Sequence, residues 1–356
     1  MAIIKLSNMR VLIVRLSSMG DLVQTLPALS DAAKAYPDIC FDWAVDESFA
    51  QVPSWHKNVE NVFPSAFKRW GANLARATRT GEFRSFLGRL RSQSYDAIVD
   101  VQGEWKSATI ARLAKGSRHG YDGPSVHEWG AHLLYRRKFP VLKGQHSMRR
   151  MRQLLSQALD YSYAETDVDY GIDQARLIDY TPTPPDPFIV LIHSTSWASK
   201  VWPEEYWREL ATMIMQAGYQ VVLPWGNEIE RERASKIAGD HKNAMVLPPL
   251  SISEKASIIS RALATVGLDT GLSHIAAALG VPSVTLYGAT DPLLVGATGK
   301  MQLHVASNFE CVKCHEVLCS FKRPTAVKPA CFEEITPQRV WGELQTLLSN
   351  SRSASR

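Results

Sequence analysis

Residues 10–21 read Arg-Val-Leu-Ile-Val-Arg-Leu-Ser-Ser-Met-Gly-Asp, and a helical pattern follows from Leu22 to Tyr36. The β-branched apolar run Arg10–Leu16 reads as a buried strand. Ser17, Ser18 and Gly20 are small enough for a tight turn and for close approach of a ligand, and Asp21 then stands at the turn's edge. Pro27 falls inside the helical pattern, where it must kink the helix or begin a new one. A strand that feeds a helix through such a turn is the opening unit of a parallel sheet with crossover helices.

Working outward, Ile39–Val45 and Ala97–Val101 read as further strands of the same sheet. Thr181–Pro187 (TPTPPDP) holds four prolines in seven residues, which neither a helix nor a central strand tolerates. The alternation then restarts with a strand at Phe188–His193, a helix from Pro203 to Ala217 and a strand at Gln220–Pro224. Helices near Glu230–Ile237 and Ser253–Ala262, a strand Ala264–Leu268, a helix Gly271–Leu279 and a strand Ser283–Tyr287 continue it. Thr336 and Pro337 cap a last helix that runs to Leu348. The reading is an α/β chain of two doubly wound halves, residues 1–180 and 188–335, joined by a Pro-rich linker at 181–187 and closed by a helix at 336–348. No repeat of fixed period is present, although the halves share an architecture. Ligands of such sheets bind beyond the carboxyl ends of strands, so the segments just after strands are the ones to inspect.

Composition bounds the rest. The chain has 356 residues, 45% hydrophobic and 21% charged, with a net charge of +5. That is enough for two domains with real cores and excludes collagen, disordered and disulfide-scaffold classes. No apolar run approaches the roughly 18 residues of a spanning helix. The start is broken by Lys5, Asn8, Arg10 and Arg15 and lacks a secretory pattern, so a cytoplasmic location is expected.

Five constellations follow strands or cluster chemically. At Ser17–Asp21, the carboxylate either does chemistry or simply caps the helix. Asp269-Thr270-Gly271-Leu272-Ser273-His274 opens a helix whose free N–H groups suit a phosphate, although it is not a dinucleotide fingerprint. His193 to Lys200 (HSTSWASK) supplies hydroxyls and one cation, which suits an anionic leaving group; a solvated lysine and a core histidine are the plainer reading. Basic residues crowd two stretches: Lys68, Arg69, Arg76, Arg79, Arg84, Arg89 and Arg91, then Arg136, Arg137, Lys138, Lys143, Arg149, Arg150 and Arg152. These hold 14 of the 40 Lys and Arg residues, all in the first half, and imply an anionic partner. Solvated helix faces explain one such cluster better than two. Finally, Cys311, Cys314, Cys319 and Cys331 are spaced C-x2-C-x4-C-x11-C, which in a cytosolic chain favours a structural zinc or iron site over a disulfide set, with reduced thiols or adventitious disulfides in a loop of equal weight.

With these residues in place, the chain resembles the lipopolysaccharide heptosyltransferases of glycosyltransferase family 9. The likeness is carried by RVLIVRLSSMGDLVQTLP (10–27), FDWAVDESFAQVPSWH (41–56), DVQGEWKSA (100–108), KVWPEEYWREL (200–210), LPWGNEIERERA (223–234) and LDTGLSHIAAALGVPSVTLYGATDP (268–292), in order. It is strongest for the type that adds the first heptose to Kdo. It implies a GT-B fold, two Rossmann-like domains facing a cleft, with the last helix returning to the first domain. It implies an inverting transfer of L-glycero-D-manno-heptose from ADP-heptose to the Kdo of Kdo2-lipid A, with no cofactor required for catalysis and no nucleic acid as partner. Asp21 matches the catalytic base. Thr195, Ser196, Lys200, Glu230, Asp269, Thr270, Gly271 and His274 match donor contacts. Ser17, Ser18, Gly20, Lys68, Arg69, His127, Arg149, Arg150 and Arg152 match the acceptor region. His127 stands where relatives carry Arg, which makes that cation pH-dependent here. The acceptor is a lipid, so peripheral contact with the anionic cytoplasmic face of the inner membrane is expected. The enzyme alternatives are the second heptosyltransferase of the core and a heptosyltransferase acting on autotransporter proteins; a non-catalytic nucleotide-sugar binder is the alternative of another class.

Overall fold

The computed structural model describes residues 9–72, 80–181 and 184–354. The chain forms two compact units, Met1–Arg176 and Leu177–Arg356. In the first, strands β1 (Arg10–Val14), β2 (Cys40–Asp46), β3 (Val59–Ser65), β4 (Tyr95–Asp100), β5 (Gly116–Tyr121) and β6 (Arg137–Phe139) make one sheet in the order β3-β2-β1-β4-β5-β6, parallel throughout. In the second, β7 (Phe188–Ile192), β8 (Gln220–Leu223), β9 (Ala244–Val246), β10 (Ala264–Leu268), β11 (Ser283–Tyr287) and β12 (Gln302–Ala306) take the order β12-β11-β10-β7-β8-β9, also parallel. Counted from each unit's own first strand, the two orders are the same. Both are doubly wound, and each reverses direction between its first and fourth strands. That reversal is where such sheets bind ligands.

The central strands are the ones the sequence announces. Four of the five residues of β1 and all five of β7, β10 and β11 are buried, because crossover helices cover both faces. The strands missing from the sequence reading are mostly outer ones. β5 reads Gly-Ser-Arg-His-Gly-Tyr and β6 reads Arg-Lys-Phe, with little apolar content, since they lie toward a sheet edge. Pro27 begins no new helix; it lies within one helix, Met19–Ala35.

The unit boundary falls between Arg176 and Leu177, a few residues ahead of the expected one. The segment that follows is fastened to the second unit: Ile178 N–H donates to Ser253 Oγ (2.9 Å), and Arg261 donates to the Tyr180 carbonyl (3.1 Å). The final helix, Pro337–Ala354, differs from expectation more plainly. Instead of returning to the first domain, it places Val340, Leu344, Leu347 and Leu348 in the second unit's core, beside Trp202, Trp207 and Leu210. These residues supply an apolar stripe at helical spacing, and the second sheet offers the surface that buries it.

Candidate active site

In the first unit the site is assembled at the end of β1. Ser18 has extended backbone angles and precedes the helix Met19–Ala35, which puts Asp21 in its first turn. An acidic side chain there is favoured by the helix dipole. Asp21 Oδ2 accepts from Ser18 N–H (3.1 Å) and Ser18 Oγ (2.8 Å) and is paired with Arg15 Nη2 at 2.7 Å. Asp21 Oδ1 accepts from Ser147 Oγ at 3.2 Å. The side chain is 28% exposed, so the carboxylate reaches solvent. Burial alone raises its pKa, but the Arg15 charge and the Ser18 bonds outweigh this and hold it below the usual carboxylate range. Asp21 is therefore ionised at neutral pH, and among the described residues Oδ2 meets Arg15 and Ser18 while Oδ1 meets Ser147.

Arg15 and Ser147 were not among the expected site residues. Arg15 also donates through Nη1 to the Val101 carbonyl at 3.2 Å, tying the Asp21 turn to the end of β4. Ser147 begins the helix Ser147–Leu159, 126 residues along the chain from Asp21. A cation as the penultimate residue of a buried strand run was the available signal for Arg15; nothing local marks Ser147.

The end of β4 is fixed by a buried carboxylate, also missed. Asp100 accepts from Tyr135 Oη (2.6 Å), Ser107 Oγ (2.8 Å), Gln102 N–H (2.9 Å) and Gly103 N–H (3.1 Å). Gln102 then accepts from Leu16 N–H at 2.7 Å and donates to Glu104 at 2.8 Å. This network locks the two strand ends that flank the direction reversal.

The expected acceptor residues divide. Ser17 and Gly20 are half-buried and Ser18 is exposed, all beside Asp21. His127 is 68% exposed, with Nδ1 3.7 Å from Glu104 Oε1. Arg69 is engaged by two carboxylates, Glu47 (3.1 Å) and Glu82 (2.7 Å). Arg149 pairs with Glu165 at 2.6 Å. Arg150 lies over the Tyr121 ring, 5.0 Å from its centroid, and donates to the Ser125 carbonyl at 2.7 Å. The Lys68 side chain lies outside the described residues, as do Arg76 and Arg79. Arg152 requires a correction: it is 3% exposed and locked on Asp31 at 2.6 Å, so it presents no surface to an acceptor. Burial of that depth demands a partner charge, and the fold supplies one from the helix Met19–Ala35.

In the second unit a parallel arrangement forms at the ends of β7 and β10. Lys200 Nζ donates to Asp269 Oδ2 at 2.7 Å and lies 4.4 Å from the Trp197 ring centroid. Thr290 Oγ1, not expected from the sequence, donates to the same oxygen at 2.7 Å. His274 Nε2 is 3.6 Å from Asp269 Oδ1, and Thr195 Oγ1 donates to the Asp269 carbonyl at 3.4 Å. Burial raises the Asp269 pKa, but His274 and Lys200 together drive it well below the carboxylate range. Its carboxylate is engaged by Lys200, Thr290 and His274. Thr270 and Gly271 open the helix Gly271–Ala278, whose first N–H groups have no intrahelical acceptor. Close packing there requires Gly267, where a Cβ would sit 2.4 Å from Ser273 Oγ. Ser196 is exposed. Glu230 lies in the first turn of the helix Glu228–Ala238 and accepts from Gly226 N–H at 2.6 Å.

The four cysteines of the second unit do line one cavity, of about 310 Å³, with Lys322 and Arg323 beside them. Burial and the neighbouring thiols push the Cys331 thiol up to about 12. The expected zinc or iron site finds no support: among the described residues no three His, Cys, Asp or Glu side chains are grouped to hold a metal ion. The loop brings the thiols to one cavity without converging their sulfurs on one point.

The family model for glycosyltransferase family 9 (heptosyltransferase) matches residues 83–324. Lipopolysaccharide heptosyltransferase 1 of Pseudomonas aeruginosa is 45% identical over 351 residues, covering 96% of this chain and 98% of that protein. Lipopolysaccharide heptosyltransferase 1 of Escherichia coli K12 is 45% identical over 296 residues, covering 83% and 92%. A solved structure of E. coli heptosyltransferase WaaC with ADP-2-deoxy-2-fluoro heptose aligns with a TM-score of 0.81 at 39% identity, covering 95% of this chain and 99% of that one.

Proposed function

The chain belongs to glycosyltransferase family 9, the heptosyltransferases, and we propose that it transfers L-glycero-D-manno-heptose from ADP-heptose to the Kdo of Kdo2-lipid A, with inversion, in building the lipopolysaccharide inner core. The observation that carries the mechanism is Asp21, ionised, part-exposed and with Oδ1 accepting from the Ser147 hydroxyl. In an inverting transfer one carboxylate takes the proton of the acceptor hydroxyl. The freed oxygen attacks the anomeric carbon of the heptose, and the bond from that carbon to the ADP oxygen breaks on the opposite face. Asp21 Oδ1 receives the proton while Arg15 and Ser18 keep Oδ2 in place.

The departing ADP carries the negative charge. Lys200 is a cation set in position beforehand by Asp269 and Thr290, and the N–H groups that open the helix Gly271–Ala278 add their dipole. Glu230 suits the ribose hydroxyls. Thr195, Ser196 and His274 complete the donor side. On the acceptor side, Ser17, Ser18 and Gly20 adjoin Asp21, His127 stands beside Glu104, and Arg69, Arg149 and Arg150 are cations that a stronger anion must draw from their present partners. The lipid acceptor implies peripheral, salt-sensitive contact with the cytoplasmic face of the inner membrane.

The deciding experiment gives the purified protein ADP-heptose and three acceptors: heptose-free Kdo2-lipid A, an already heptosylated core, and an autotransporter protein. Addition of one heptose to the first is expected. Transfer only to the second or third assigns the chain to the corresponding alternative. Asp21→Ala is expected to abolish turnover, by about 10²–10⁴-fold, while ADP binding is kept. Unchanged turnover removes Asp21 from the role of base, and ADP binding without any transfer by the parent protein would leave a nucleotide-sugar binder.

A further inference from the structure

We infer that Trp129, Leu133 and Leu142, together with the free cations between and beside them, form a surface of the first unit that docks on an anionic lipid bilayer. The inference rests on the proposed lipid acceptor. From Trp129 to Leu159 the chain contains no Asp or Glu and seven Lys or Arg. Trp129 is 81% exposed, Leu142 76% and Leu133 63%. Single exposed apolar residues are ordinary on soluble proteins. Here, however, they alternate with Arg136, Arg137, Lys138 and Lys143, all exposed. None of these four has an ion pair among the described residues, whereas Arg149 and Arg152 are paired with carboxylates. The acid that borders the stretch, Glu128, is engaged by the Trp105 N–H at 2.7 Å.

The fold draws the stretch together. Gly130 has φ +92°, and a Cβ there would lie 2.6 Å from the Trp105 ring, so Trp105, itself 47% exposed, flanks the same turn as Trp129. Val141 N–H donates to Ser125 Oγ at 2.9 Å, which stitches the loop holding Leu142 to the loop leading to Trp129. Both loops follow the carboxyl ends of β5 and β6, the end of the sheet that also carries Asp21. Exposed leucines of the second unit have different company: Leu293 is two residues from Asp291 and Leu318 is two from Glu316. Apolar side chains with unpaired cations and no acid match a bilayer of anionic headgroups over acyl chains. A bilayer held there brings a lipid-borne acceptor to the face that presents Asp21.

The test uses the whole chain and a Trp129→Ser, Leu142→Ser double variant. Vesicles of phosphatidylcholine with and without phosphatidylglycerol are the probes. The parent protein is expected to sediment with the anionic vesicles and to be released by salt. Each buried apolar side chain is worth roughly tenfold in partitioning, and each cation about fivefold. The double variant should therefore bind anionic vesicles at least about tenfold more weakly. Its KM for Kdo2-lipid A in vesicles should rise by a similar factor, with kcat/KM on a deacylated, water-soluble Kdo acceptor within about twofold of the parent. Unchanged vesicle binding, salt-independent binding, or equal losses on both acceptors would overturn the inference. A parent protein inactive on both acceptors would instead overturn the proposed function, and the sedimentation arm would still decide the docking surface.

Discussion

Replacing Arg152 by Met separates a structural cation from an acceptor contact. Arg152 and Asp31 are 3% and 4% exposed. The guanidinium makes two bonds to Asp31, at 2.6 and 3.0 Å, and donates to the carbonyls of Glu165, Ala164 and Asp167 at 3.0, 2.9 and 2.7 Å. The Tyr163 ring lies 4.5 Å from it. Burial raises the Asp31 pKa above its ordinary value even against the pull of Arg152. Met fills much of the space but leaves a buried carboxylate and three carbonyls without their donor. Removing one member of a buried pair costs about 3–5 kcal/mol. In a unit of this size each kcal/mol moves the midpoint by roughly 2–4 °C, so a loss of roughly 6–20 °C is expected. Calorimetry of the whole chain is the assay, because two units need not melt together. The transition of the Met1–Arg176 unit should fall and the other should not. The double variant Asp31→Leu, Arg152→Met removes the stranded charge and should recover at least about half the loss. A single variant that melts like the parent yet raises KM for the acceptor would refute the reasoning and return Arg152 to the acceptor site.

Other consequences can be measured separately. Arg15→Gln takes away the charge that holds the Asp21 pKa down, so the acidic limb of the pH–kcat/KM profile should move to higher pH; an unmoved limb would show that Arg15 does not tune the base. Lys200→Met should weaken ADP binding about 10–100-fold by calorimetric titration, the worth of a charged hydrogen bond, and undiminished affinity would remove Lys200 from the donor site. His56 is fully buried, with Nε2 3.1 Å from Ser30 Oγ, and burial holds its pKa at about 4, below the ordinary 6.5. The unfolded chain then binds the extra proton first, so stability is full above about pH 6.5 and falls by up to about 3 kcal/mol as pH drops to 4. His56→Gln should flatten that slope in urea titrations between pH 7 and 4.5, and an unchanged slope would assign it to other groups.

Much of the architecture was legible in the amino-acid sequence. β1, β7, β10 and β11 are buried on both faces, so their apolar runs stand out as unbroken β-branched segments. The turn at Ser17–Asp21 and the helix start at Asp269–Gly271 were legible because small residues and caps act locally. β5 and β6 were not, since outer strands need little apolar content. The final helix was recognisable as an amphipathic element, but its stripe does not say which core receives it.

Charge shows the division most clearly. The sequence by itself determined how many cations the first half carries, where they cluster, and that Asp21 stands at the end of the first strand. Only the tertiary structure decided which of them are free. Arg152 meets Asp31 across 121 residues of chain, Arg69 meets Glu47 across 22, and Asp21 meets Ser147 across 126. Helix and strand signals lie within a few residues because backbone geometry repeats at short range. The pairing of a charge depends on which remote carboxylate the packed core brings within about 3 Å, and no local pattern records that distance.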